Sequence, residues 1–147
     1  MTLPALKASE WLAALGMDMS VSEFKLRQII RDARAELDRS KGGETWMFHT
    51  VLGVAHWRLR EPEKALEHAQ LAARADPQNV IHCNQIGAAL MELDRSDEAL
   101  GVLLAGLKLP AADNSAVILF GNLAEAFFRS GDAASASSCF DCVRNSS

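Results

Sequence analysis

Residues 46–76, WMFHTVLGVAHWRLREPEKALEHAQLAARAD, carry two apolar stripes at helical spacing, parted by Arg60-Glu61-Pro62 and closed by Pro77. The pattern predicts two helices folded back on each other. Moving 34 residues along the chain, from position 52 to 86, brings the same signals again. Leu52-Gly53 becomes Ile86-Gly87, Ala55 becomes Ala89, and Ala65-Leu66 becomes Ala99-Leu100. A fixed period of this size marks a repeat array.

A third copy is in register once three residues are added. Leu123-Ala124 then stands for Leu52-Gly53, Ser130-Gly131-Asp132 for the break, and Ala136 for Ala65 and Ala99. The added residues are expected in the turn-rich run Leu109-Pro110-Ala111-Ala112-Asp113-Asn114, where an insertion is easily absorbed.

With these residues in place the chain resembles the tetratricopeptide repeat family. The first copy carries the small-residue pattern as Leu52, Gly53, Ala65, Ala72 and Pro77, and the second as Ile86, Gly87, Leu90 and Ala99. The third carries Leu123, Ala124, Phe127, Gly131, Asp132, Ala136 and Phe140. His49 and Cys83 take the family's usual aromatic site, and the second and third copies lack the closing proline in register. The resemblance implies an all-α fold, a right-handed α-α superhelix of three repeats at about 46–79, 80–113 and 117–147, preceded by an N-terminal helical segment over residues 1–45.

In that segment Pro4 is expected to open a short helix through Trp11, Leu12 and Leu15, ended by Gly16, with Gly-Met-Asp-Met as the turn. Ser20-Val21-Ser22-Glu23 has capping-box spacing. Phe24, Leu26, Ile29, Ile30, Ala33 and Leu37 then form an apolar stripe on a helix over about 21–39, stopped by Ser40-Lys41-Gly42-Gly43. The stripe must dock, either as an extension of the stack or inside the array's groove; adjacency along the chain favours the stack. Within each hairpin, Gly53 and Gly87 are expected to oppose Ala65 and Ala99, which lets the helix axes come close.

The chain has 147 residues, 49% of them apolar, enough for a continuous core without disulfides. Its net charge of -4 and its interleaved Arg, Lys and acidic residues give no basic face for nucleic acid. No run approaches the ~20 apolar residues of a membrane span, and no secretory leader is evident, so a soluble cytoplasmic protein is expected. Cys139-x-x-Cys142 lies on a predicted helix without a second pair, and Cys83 lies on the apolar seam; both read as packing residues. His49 and His56 share a face without further ligands at metal spacing and read as core or seam, while His68 and His82 read as surface. No metal or cofactor is expected, and no hydrolase, phosphate-loop or zinc-protease motif points to an enzyme.

The family's concave side is lined by the first helix of each hairpin. Here that implies Met47, Thr50, Val54, Trp57 and Arg58, then Ile81, Asn84, Ala88, Met91 and Glu92, then Ile118, Gly121, Glu125, Phe128 and Arg129. Trp57, Met91 and Phe128 are equivalent and form an apolar stripe with a charged rim, the arrangement that grips a peptide or helix of a partner protein. An adaptor or chaperone is the expected function. The leading helical segment, three repeats and acidic balance also resemble the secretion chaperones of bacterial type III systems. The alternative is an assembly module whose own N-terminal helix fills the groove. Phe140 and Val143 on the last helix suggest self-association through the C-terminal face, because stacked arrays require a solvating cap.

Overall fold

A computed structural model of the chain describes residues 3–17, 20–40 and 42–146. Among them eight α-helices run in order, with no strand: α1 (Leu3–Met17), α2 (Glu23–Arg39), α3 (Thr45–Arg58), α4 (Pro62–Ala75), α5 (Val80–Glu92), α6 (Ser96–Gly106), α7 (Asp113–Arg129) and α8 (Ala133–Asn145). The chain divides into two compact units, Met1–Pro77 and Gln78–Ser147. The first holds α1 to α4 and the second α5 to α8.

Three of the connections are the same turn. Arg60, Asp94 and Gly131 have φ of 60°, 57° and 85°, and the steps between them, 60 to 94 and 94 to 131, repeat the sequence periods of 34 and 37. Each turn closes its helix with the same pair of backbone bonds. The N–H groups of Arg60, Asp94 and Gly131 donate to the carbonyls of Trp57, Met91 and Phe128, and those of Glu61, Arg95 and Asp132 donate to His56, Leu90 and Phe127. This satisfies carbonyls that a helix end otherwise leaves unbonded. Only the third turn has the glycine that a left-handed residue prefers. Pro62 sits in the first turn of α4, where its missing N–H costs nothing.

The extra residues of the third copy are not in the loop. Asp113 and Asn114 already belong to α7, which has 17 residues against 13 in α5, so the insertion is taken up largely as an added helical turn. The third hairpin therefore begins at position 113, ahead of the expected 117.

In the first unit the core gathers α1, α2 and α3. Phe48, Val51, Leu52 and Ala55 of α3 bury against Leu26, Ile29, Ile30 and Ala33 of α2 and Ala8 and Leu15 of α1. Trp11 meets the Phe48 ring edge-on, with centroids 6.5 Å apart. Both α1 and α2 pack on α3, which in turn pairs with α4. The second unit repeats this plan: α5 and α6 both pack on α7, which pairs with α8. The N-terminal helices thus pack on α3 as α5 and α6 pack on α7.

Several local expectations change. The cap of α2 is Ser22, not Ser20: its Oγ accepts the Lys25 N–H at 3.2 Å, because Glu23 is already the first helical residue. Phe24 leaves the apolar stripe and is 76% exposed, one position off the face defined by Leu26, Ile29, Ile30 and Ala33. Gly16 lies within α1 and does not end it. The expected turn at Asp18-Met19, and Lys41 in the stop after α2, lie outside the described residues. Gly87 is opposed by Leu103, one turn beyond Ala99: a Cβ at Gly87 would fall 2.6 Å from Leu103 Cδ2. The two residues stand equally far along the chain from Arg95 in the turn, as an antiparallel pair must.

Candidate partner-binding surfaces

The lining residues expected of the groove separate into three kinds. Thr50, Asn84 and Met91 are buried. Met47, Val54, Arg58, Ala88 and Gly121 are half-buried, while Arg129 is exposed. Trp57, Ile81, Glu92, Ile118, Glu125 and Phe128 are exposed.

The buried ones have structural work. Thr50 Oγ1 donates to the Trp46 carbonyl at 2.8 Å inside α3. In the second unit Asn84 stitches α5 to α7, its Nδ2 donating to the Ser115 carbonyl at 3.2 Å and its Oδ1 accepting from Asn122 Nδ2 at 3.3 Å. Such a pair satisfies polar groups at a buried seam and fixes its register. Met91 lies beneath the same seam, and its carbonyl accepts from Arg129 Nη1 at 2.9 Å. The stripe of Trp57, Met91 and Phe128 is therefore interrupted: Met91 is core, and the position is apolar because a following helix covers it.

Besides Phe128, the first helices of the second unit expose a further apolar pair. Ile81 and Ile118 occupy one repeat position on α5 and α7, which pack side by side, and they are 42% and 54% exposed. The equivalent residue in the first unit is Met47, half-buried against its core. About two and three turns beyond Ile118 along α7, Glu125 and Arg129 form an ion pair at 2.5 Å. Arg129 also spans to the Met91 carbonyl, so its guanidinium is held in place rather than sweeping solvent. Exposed ion pairs add little stability.

The first unit also carries a cluster that sequence reading missed. His49, His56 and His68 meet between α3 and α4. The Nδ1 atoms of His49 and His68 lie 3.1 Å apart, one donating to the other, and the His56 and His68 rings stack with centroids 5.6 Å apart. His56 Nδ1 donates to Glu61 Oε2 at 2.6 Å, which holds that carboxylate below its usual range, while His56 Nε2 is buried with no hydrogen-bond partner. His68 is half-buried and His82 is fully buried, so neither is a surface residue. The signal was weak because His68 reaches the pair only through the hairpin fold. Among the described residues no group of three or more His, Cys, Asp or Glu side chains is placed to hold a metal ion. Cys83 and Cys139 are half-buried free thiols with pKa values raised first by burial, and Cys142 is exposed.

Burial lowers the pKa of all three clustered histidines, that of His68 to about 4, with the charges of His49, His56 and Arg34 adding to the effect. Glu67 acts the other way on His49, and Glu61 acts the other way on His56, where Lys64 and Arg34 oppose it. The unfolded chain takes up the His68 proton at about 6.5, so the contribution of neutral His68 is complete above that pH. It is lost as pH falls from about 6.5 to about 4, by roughly 2–3 kcal/mol. All three tryptophans, Trp11, Trp46 and Trp57, lie in this unit, so urea titrations followed by tryptophan fluorescence read it directly. The midpoint is expected to fall across that window and to fall less in His68→Gln. Equal slopes for the two proteins would refute the assignment.

No described helix is long and apolar enough to cross a membrane. Compared with known proteins, the chain matches no family model and no curated sequence.

Proposed function

We propose that the chain is a protein-interaction module of the tetratricopeptide type, an adaptor or chaperone that takes a peptide or helical segment of a partner protein on the exposed face of its first helices. The observation that carries this reading is the Ile81 and Ile118 pair. Two β-branched apolar side chains are left in water at one repeat position, on helices whose other apolar positions, Phe128 apart, are largely covered. A partner side chain seated between them removes that surface from water at about 25 cal/mol per Å². The rim of Glu92, Glu125 and the clamped Arg129 sets the orientation of what binds.

Three matching hairpin turns at the family's spacing support the repeat reading, with the right-handed superhelix as its larger-scale form. The secretion-chaperone version rests on the resemblance of a leading helical pair ahead of three hairpins, and it carries a cytoplasmic setting with it. The stacking of α1 and α2 on α3 gives no support to a groove filled by the chain's own N-terminal helix.

The test is affinity capture with the parent chain and with an Ile81→Ser, Ile118→Ser variant, followed by titration of a peptide from whatever protein is lost. Both side chains are exposed, so the variant is expected to melt like the parent while its affinity for the peptide falls at least tenfold. Identical captured proteins and identical affinity would remove this face as the binding site.

A further inference from the structure

The same seam is built twice inside the chain. Arg58 of α3 donates from Nη1 to the Leu15 carbonyl of α1 at 2.7 Å, and Arg129 of α7 donates from Nη1 to the Met91 carbonyl of α5 at 2.9 Å. Arg58 and Arg129 precede their left-handed turn residues, Arg60 and Gly131, by the same two residues, so they hold one repeat position. Leu15 and Met91 are consequently matched positions on the helices that lie behind. They lie where α3 packs on α1 and α7 packs on α5, and they are 2% and 4% exposed.

Phe128 stands at the Met91 position on α7, and it is 70% exposed. A residue type that belongs under a covering helix is here in water. The opposite half of the seam is also present and uncovered. Aligning α1 with α3 through Leu15 and Trp57 puts Leu6 at the position of Phe48 and Leu119, and Ala13 at that of Ala55 and Ala126. Phe48, Leu119, Ala55 and Ala126 are all buried, and Phe48 faces backward onto Trp11 of the preceding helix. Leu6 is 47% exposed, and Ala13 is exposed as well.

We propose that the chain associates head to tail with a second copy of itself. The Leu6 and Ala13 face of α1 in one copy settles on the Phe128 face of α7 in the next, reproducing the seam that α3 makes on α1 and α7 makes on α5. The occupant is a second copy because both exposed halves, front and back, belong to one interface whose closed form is visible twice. Such a contact is heterologous and leaves a free half at each end, so assemblies grow with concentration and do not stop at a dimer. Gly16 stands where Arg58 and Arg129 stand, so the intermolecular seam lacks the guanidinium bond. Association is accordingly weaker than the same seam within the chain. The contact is separate from the Ile81 and Ile118 face and stands or falls independently of it.

Sedimentation velocity of the full chain from micromolar to millimolar concentration is expected to show mass that rises continuously. Leu6→Glu and Phe128→Glu are each expected to be monomeric, with parental circular dichroism because both side chains are exposed; Ala13→Glu is the second variant for the front face. An equimolar mixture of Leu6→Glu and Phe128→Glu retains one good front and one good back, and is expected to form dimers and nothing larger. A parent that stays monomeric, assemblies that survive either substitution, or a mixture that stays monomeric would overturn the proposal.

Discussion

Gly87→Leu is expected to disrupt the α5–α6 hairpin. Even a Cβ at this position would come within 2.6 Å of Leu103 Cδ2 and 2.7 Å of its Cγ. Leu103 is fully buried, so it has nowhere to retreat, and the branch carbon is in the way as well as the side-chain tips. Overpacking of this kind costs about 1–3 kcal/mol for added methylenes, and more where the backbone must part. Against a total stability of about 5–15 kcal/mol, a large drop in the thermal midpoint of the helical signal follows. Adding Leu103→Ala is expected to recover part of the loss, because it empties the volume the new side chain needs. A Gly87→Leu protein melting at the parental temperature would mean that the two helices do not meet at this point.

Phe48→Ala is expected to produce the largest loss in the first unit. Phe48 is completely buried, its ring meets Trp11 of α1, and its core cluster is drawn from three helices, with Leu15 of α1, Leu26, Ile29, Ile30 and Ala33 of α2, and its own α3. Removing the ring deletes the wedge on which α1 and α2 both lean, and a cavity of that size costs about 3–5 kcal/mol. Tryptophan fluorescence in urea is expected to show a midpoint lowered accordingly, with Trp11 freed of its edge-on partner. A change below about 1 kcal/mol would show that the three helices can close over the gap, contrary to the close packing expected of such a core.

The same residue marks the limit of sequence reading in this chain. The apolar stripes and the small residues at Gly53, Gly87 and Ala124 were enough to predict three hairpins, because helical period and close approach are local properties of the chain. The turn positions followed as well: the steps of 34 and 37 reappear in the left-handed residues Arg60, Asp94 and Gly131. Which apolar position lies under a neighbour and which faces water is not local. Trp57, Met91 and Phe128 are one position by period, yet Met91 is core and Phe128 is in water, because α7 lies over Met91 and no described helix of the second unit lies over Phe128.

The histidines make the same point with polar groups. Position 68 is a solvated site on a lone helix, and only the antiparallel return of α4 onto α3 carries it into contact with His49 and His56. By itself the sequence determined the elements, their pairing into hairpins and the residues that permit close contact, since each depends on neighbours a few positions away. Only the tertiary structure decided what each helix covers: the choice between Ala99 and Leu103 opposite Gly87, the exposure of Phe24, Ile81 and Ile118, and the depressed basicity of the His68 imidazole. Burial is a property of the surfaces that meet, and the meeting partner lies far away along the chain.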